Sequence, residues 1–270
     1  MDTLILSAAG IKGIYYIGVY MSLLEHNIIN SDTLKHIICC SSGCIFGLCI
    51  LLDYSIDFIY KITEGLDMDK FINYEDLIDV FSDNGLFNID KVEIFYSLLI
   101  YHKFNVKDIT FKELYENTNK EYIVKVYNYT DNKTEYLSYI DNPDLSVIKA
   151  ISMSCCIPIF FKPIKYNDKL YIDGGVTGPT PDIKEEKYKN NITIKICNNI
   201  KHEEEESIFN YINNLMIILI KHDTNNSKYE ITIPCIKDIS FANFQIEQEC
   251  KKEMIDYAKL FTDIHIYKYL

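Results

Sequence analysis

The chain has 270 residues, of which 48% are apolar and 24% charged, and carries a formal net charge of -12. That length buries a substantial core in one large domain or two small ones, and the composition excludes disordered, collagen-like and repeat architectures. Twenty-seven basic residues against 39 acidic ones leave no phosphate-neutralising surface for nucleic acid and no polybasic patch for anionic lipid. A locally apolar surface is the remaining route to peripheral membrane contact.

Nine cysteines are an odd number, and the pairs Cys39-Cys40 and Cys155-Cys156 sit inside apolar runs. Thiols in that setting pack as small hydrophobes, which implies a reducing, cytoplasmic compartment. Met1-Asp2-Thr3 has no basic n-region, and the longest apolar stretch, Gly43 to Leu52, falls short of the ~20 residues of a membrane span. The expectation is a single domain over residues 1–270, neither exported by a standard signal nor membrane-spanning.

The first apolar run, Leu4 to Leu6, has the pattern of a short buried strand. It ends in Ser7-Ala8-Ala9-Gly10-Ile11-Lys12-Gly13, and Ile14, Ile17, Met21 and Leu24 follow at helical spacing. A second run, Ile37 to Cys40, leads through Ser41-Ser42-Gly43 into a stretch from Cys44 to Leu52 that is apolar all round, as in a buried helix. Residues 53–118 read as helical, with an amphipathic stretch from Val92 to Tyr101 and a capping box at Thr110-x-x-Glu113. Tyr122 to Tyr129 and Thr134 to Tyr139 form a hairpin pattern around a polar turn. A helix from Leu145 to Ser154 is followed by strands at Lys169 to Ile172 and Ile192 to Cys197. A last helix spans Glu249 to Thr262, and the acidic run His202 to Glu206 reads as a solvated helix start rather than a metal site.

Glycine is scarce, ten in 270 against a usual share of ~7%, yet five of the ten are Gly10, Gly13, Gly43, Gly174 and Gly175. Ser41 stands on the turn between a buried strand and a buried helix, in Cys39-Cys40-Ser41-Ser42-Gly43. Such a turn holds a hydroxyl outward above a helix N-terminus, the geometry of a nucleophile elbow, although cysteine replaces the first glycine of G-x-S-x-G. Taken alone, Ser41 reads as a helix N-cap; Ser42, the rival nucleophile, has no glycine two positions on. The loop Ala8 to Gly13 offers successive amide groups at a helix start, suited to an oxyanion. Read as a degenerate dinucleotide fingerprint, the same loop lacks the acidic residue that should end the second strand. Asp173, ahead of Gly174-Gly175, is the candidate base, since a sheltered carboxylate can activate a serine directly. The histidines at 26, 36, 102, 202, 222 and 265 lie in no comparable loop.

Three of these segments, in order, resemble the patatin-like phospholipase family: the loop Gly10-Ile11-Lys12-Gly13, the elbow at Ser41 and the Asp173-Gly174-Gly175 turn. So does Ser154-Cys155-Cys156-Ile157-Pro158-Ile159-Phe160-Phe161-Lys162-Pro163, which matches the family's S-x-x-x-P-x-x-F-x-P run. The departures are Ala8 and Ala9 in place of two glycines, and Val176-Thr177-Gly178-Pro179, which keeps the family's proline without its asparagine. The resemblance implies a three-layer α/β/α fold with a mostly parallel central sheet. It also implies a Ser41-Asp173 dyad cleaving phospholipid or other lipid acyl esters, with no metal or other cofactor and no nucleic-acid partner. Ala9, Gly10, Ile11, Lys12 and Gly13 would form the oxyanion hole, and Gly43, Gly174 and Gly175 would shape the elbow and base loops. The competing readings are a catalytically weak or inactive lipid-binding relative, a dinucleotide-binding domain, and a general esterase or thioesterase.

Overall fold

The computed structural model describes residues 1–65, 89–197, 227, 229–236 and 246–269. Its strands are β1 (Thr3–Leu6), β2 (His36–Cys40), β3 (Glu121–Asn128), β4 (Lys133–Leu137), β5 (Ile164–Tyr166), β6 (Lys169–Asp173), β7 (Asn191–Cys197) and β8 (Tyr229–Pro234). Its α-helices are α1 (Tyr15–Glu25), α2 (Ser42–Leu51), α3 (Ile56–Gly65), α4 (Asp90–Phe104), α5 (Phe111–Thr118), α6 (Val147–Cys155) and α7 (Gln248–Tyr269). Single 3-10 turns occupy Gly10–Ile14, Gly174–Thr177 and Glu186–Tyr188.

The strands form one sheet in the order β5-β6-β3-β2-β1-β7-β8, with β4 also paired to β3. The pairs β1-β2, β1-β7, β2-β3 and β7-β8 are parallel, while β3-β4, β3-β6 and β5-β6 are antiparallel. This is a mixed α/β fold with a mostly parallel central sheet flanked by helices. Side chains alternate across a strand, so Leu4, Leu6, Ile37, Cys39, Tyr122 and Val124 enter the main core with the helices. Ile5, Ile38 and Ile123 face the other way, where Tyr188 of the last 3-10 turn covers them. Burial on both faces explains the unbroken apolar runs of β1 and β2.

Helix α7 packs along α1, and the buried Ser22 hydroxyl on α1 donates to Asp263 of α7 at 2.6 Å. The expected capping box is formed: Glu113 N donates to Thr110 Oγ1 at 3.2 Å, and Thr110 N donates to Glu113 Oε2 at 2.8 Å. The stretch Val92 to Tyr101 departs from expectation. Helix α4 buries Tyr96, Leu99 and Ile100 but exposes Ile94, Leu98 and Tyr101, so it is apolar on both sides rather than amphipathic. The run His202 to Glu206, and residues 66–88 of the expected helical region, lie outside the described residues.

The sheet and α2 meet closely. A Cβ on Gly43 would lie 2.7 Å from Ser7 O and 2.8 Å from Leu6 O, so the first turn of α2 rests directly on the end of β1. Backbone atoms cannot retreat as a side chain can. Gly43→Ala is therefore expected to lower stability by roughly 1–3 kcal/mol, the usual cost of overpacking, read as a reduced urea midpoint at unchanged slope.

Candidate active site

The site follows from how three strands share β3. Residues 121–125 of β3 pair with β2, residues 126–128 pair with β6, and residues 124–128 pair with β4. A strand has two edges, and β4 overlaps both of the others, so β2 and β6 must lie on the same edge at successive stretches. Parallel β2 ends at Cys40 opposite Lys125; antiparallel β6 ends at Asp173 opposite Val126. Their tips meet end to end, and the residue that follows Cys40 is Ser41.

Ser41 adopts φ 52° and ψ -129°, a conformation that costs a non-glycine residue of order 1–3 kcal/mol. The strain is held in place by hydrogen bonds. Ser41 N donates to Ser154 Oγ at 2.8 Å, and Ser154 Oγ donates to Lys125 O at 2.7 Å, so one buried hydroxyl fastens the turn to both α6 and β3. Ser41 occupies the N-cap position of α2 but makes no side-chain cap bond; its hydroxyl instead lies near enough to the Asp173 carboxylate to lower that group's proton affinity. Both residues are nearly enclosed, at 4% and 5% exposure.

Asp173 Oδ1 also accepts from Gly175 N at 2.7 Å, and the Cys40 thiol lies 4.0 Å from the same oxygen. Its own amide donates to Cys156 O at 2.9 Å, which anchors the end of β6 to the segment after α6. Burial pushes the Asp173 carboxyl up to about 6, against the opposing pull of the Ser41 hydroxyl, the Gly175 hydrogen bond and the Lys125 charge. It is therefore ionised at neutral pH yet retains appreciable basicity.

In the loop after β1, the positive φ falls on Gly10, at 55°, whereas Ala9 has φ -142°. Alanine is thus compatible with the loop at position 9, and the left-handed residue remains a glycine. The Ala8 amide is bound to Pro179 O at 2.8 Å, Ala9 N donates to Ser42 Oγ at 3.2 Å, and Lys12 N donates to Ala9 O at 3.1 Å. Gly10 N and Ile11 N precede that first bond of the 3-10 turn, where amides have no partner within the turn. Gly13 lies inside the turn against α2, since a Cβ there would meet Phe46 and Ser42. The cysteine at position 39 fits because its thiol donates to Ile123 O at 3.3 Å on the neighbouring strand.

The structure brings together Ser41, Asp173, the Gly10–Gly13 loop and the glycines at 43, 174 and 175. Ser42 and Ser154 have tethering contacts that a reading of motifs does not reveal. Of the four described histidines, His26 pairs with Asp263, His36 with Glu121 and His102 with Tyr54, and His265 packs on the Tyr269 ring. Leu99 and Ile100 are core, and Leu98 is exposed. Among the described residues no cluster of three or more metal-ligating side chains occurs, and no helix is long and apolar enough to cross a membrane.

Fold and sequence together define a family built on a mostly parallel α/β sheet. The chain belongs to the patatin-like phospholipase family, whose model matches residues 4–181, a span that contains the loop, the serine turn and Asp173. It is 32% identical over 190 residues to a probable lipid hydrolase of Invertebrate iridescent virus 6, covering 70% of this chain and 64% of that protein. It is also 26% identical over 273 residues to an uncharacterised protein of Acanthamoeba polyphaga mimivirus, covering 95% of this chain and 90% of that one. The fold resembles that of VipD from Legionella pneumophila, with TM-score 0.67 and 16% identity over 99% of this chain and 67% of that chain. The type III effector ExoU has the related fold at TM-score 0.52 and 12% identity, over 99% of this chain and 53% of that chain.

An aspartate whose folded pKa lies above its unfolded value holds its proton to higher pH when folded. Its cost to stability is absent below the unfolded value of 3.8, grows as pH rises towards about 6, and is fully present above that. The difference corresponds to roughly 3 kcal/mol. Between pH ~4 and pH 8 the stability of Asp173→Asn should therefore fall less than that of the unsubstituted protein, as measured by thermal denaturation across pH.

Proposed function

We propose that this chain is a lipid acyl hydrolase of the phospholipase A type, working through a Ser41-Asp173 dyad and an acyl-enzyme. The observation that carries the reading is the meeting of the β2 and β6 tips on one edge of β3, which sets a strained, enclosed serine beside an enclosed carboxylate of raised basicity. Family membership supplies the substrate class.

In this mechanism Asp173 takes the Ser41 proton as the serine oxygen attacks the ester carbonyl. The amides of Gly10 and Ile11, with the positive end of the short helix behind them, receive the developing oxyanion. Ala9 would serve by fixing the loop to Ser42 and Lys12 by its positive charge, while Gly13 lets the loop lie against α2. As the tetrahedral intermediate collapses, the carbon-oxygen bond to the alcohol breaks, and Asp173 returns its proton to the departing lysolipid or alcohol. A water molecule then gives a proton to Asp173 and its hydroxide equivalent to the acyl carbon. Free fatty acid leaves and Ser41 recovers its proton, so the cycle needs neither metal nor cofactor. For a substrate held in a bilayer, an acidic chain would rely on apolar contact, for which α4 exposes Ile94, Leu98 and Tyr101.

The test is covalent labelling by a fluorophosphonate probe, followed by a panel of phospholipids, neutral esters and thioesters. Labelling is expected in the unsubstituted protein and lost in Ser41→Ala. Asp173→Asn should retain the fold and lose roughly 10²–10⁴-fold in kcat, the range for removing a general base. Activity should fall as pH drops through about 6, because the protonated carboxyl cannot accept the serine proton. A folded protein that neither labels nor hydrolyses any ester would instead be an inactive lipid-binding relative, and selective turnover of soluble esters would make it a general esterase.

A further inference from the structure

Lys125 lies on β3 at the rung where β2 ends, immediately before the rung where β6 begins. It is a charged residue at 3% exposure. Its backbone carbonyl receives the Ser154 hydroxyl that fixes Ser41. Its side chain then passes beneath the base loop: a Cβ on Gly174 would lie 2.5 Å from Lys125 O and 3.0 Å from Lys125 Cγ. The ammonium emerges beyond that loop and donates to Gly178 O at 2.6 Å and Thr180 O at 3.4 Å. Between those two carbonyls, Pro179 O receives the amide of Ala8 from the oxyanion loop. One residue therefore touches the supports of the nucleophile, the base and the oxyanion loop.

A buried ammonium solvated by two neutral carbonyls still requires a counter-charge. The carboxylate that feels Lys125 through space is Asp173. We propose that Lys125 is the positioning cation of this site: its ammonium clamps the strap 178–180 and keeps the Asp173 carboxylate in its charged form. This rests on the hydrolase reading for its consequence in catalysis, though not for its electrostatics. Neither the glycine motifs nor the family match assigns Lys125 a role.

The other groups around Asp173 do not supply the same effect. Cys40 from β2, Cys44 from α2, Cys155 at the end of α6 and Cys156 just after it also lie close enough to feel its charge. Burial pushes all four thiols up, Cys156 to about 12, so they stay neutral and contribute no positive charge. On β4, Glu135 is committed to Asn128, Lys133 and Tyr171, and the Tyr136 hydroxyl to Asp182. The lysines of β4, β5 and β6 are paired with Asp131, Glu135 and Asp168; Lys12 of the oxyanion loop and Lys149 of α6 also lie on elements packed against this region. Lys149 acts on Cys156, and neither is among the charges bearing on Asp173.

The test pairs Lys125→Met, which removes both charge and donors, with Lys125→Gln, which keeps a donor for Gly178 O without the charge. The Asp173 carboxyl is titrated directly by carbon NMR of carboxyl-labelled protein, its signal assigned through Asp173→Asn. Esterase pH profiles are recorded in parallel. In both Lys125 variants the titration midpoint is expected to move up, the direction for losing an opposite charge, and the acid limb of kcat/KM should move with it. Lys125→Gln is expected to fold even where Lys125→Met does not. A midpoint unmoved in a folded Lys125→Gln variant overturns the proposal, even if activity falls, because lost packing alone lowers rate without displacing the titration. If the midpoint moves but the unsubstituted protein cleaves no ester, the electrostatic role stands and the hydrolase reading fails.

Discussion

Everything at this site depends on the way one edge of β3 is divided. Strand β2 climbs that edge as far as Lys125, and β6 descends it from Asn128 to Val126. The backbone hydrogen bonds of a sheet allow no gap or overlap at such a junction, so two strand tips separated by more than a hundred residues of chain are brought together at a fixed spacing. A serine one step beyond one tip and an aspartate at the other then have little choice but to face each other. Register does the work that a flexible pair of loops would have to do by ordering many side chains.

The junction is also where the protein gives up stability. Ser41 is held in a backbone conformation that disfavours side chains, and Asp173 is desolvated until its proton affinity rises. Both penalties are borne by neighbours that are themselves fully bonded. Ser154 joins Ser41 to β3, Gly175 donates to Asp173, and Ser42 holds the amide of Ala9. These supports come from β3, α2, α6 and the loop after β6, so Ser41 and Asp173 are braced from four separate parts of the fold.

Much of the frame is legible in the sequence. Strands β1 and β2, helices α1, α2 and α6, the capping box at Thr110 and the hairpin of β3 and β4 fall within a few residues of their expected bounds, because their apolar periods and turn residues agree. Ser41, Asp173 and the scarce glycines stand out for the same reason. The failures have physical causes. Strand β5 has three residues, Ile164–Tyr166, too few for a period to register. In β8, Ile231 and Ile233 are the buried alternation, but the strand is short and ends at a proline. Helix α4 carries apolar side chains on its outer face as well as its inner one. Lys125, in a strand that otherwise reads as buried, resembles an ordinary outward-facing position, since lysines are almost never enclosed; its partners are backbone carbonyls more than fifty positions away, which no local pattern can indicate.

The placement of the left-handed residue in the loop after β1 bears on how proteins of this kind are identified. Ala8 and Ala9 occupy ordinary backbone conformations or make bonds that alanine satisfies as well as glycine does, and only Gly10 has φ in the region that side chains avoid. A search pattern that insists on three successive glycines therefore penalises chains for a feature their backbones do not use. A pattern weighted on the tenth position, together with the two glycines that lie against β1 and β3, would follow the steric requirement itself and recover divergent members that simple motif matching passes over.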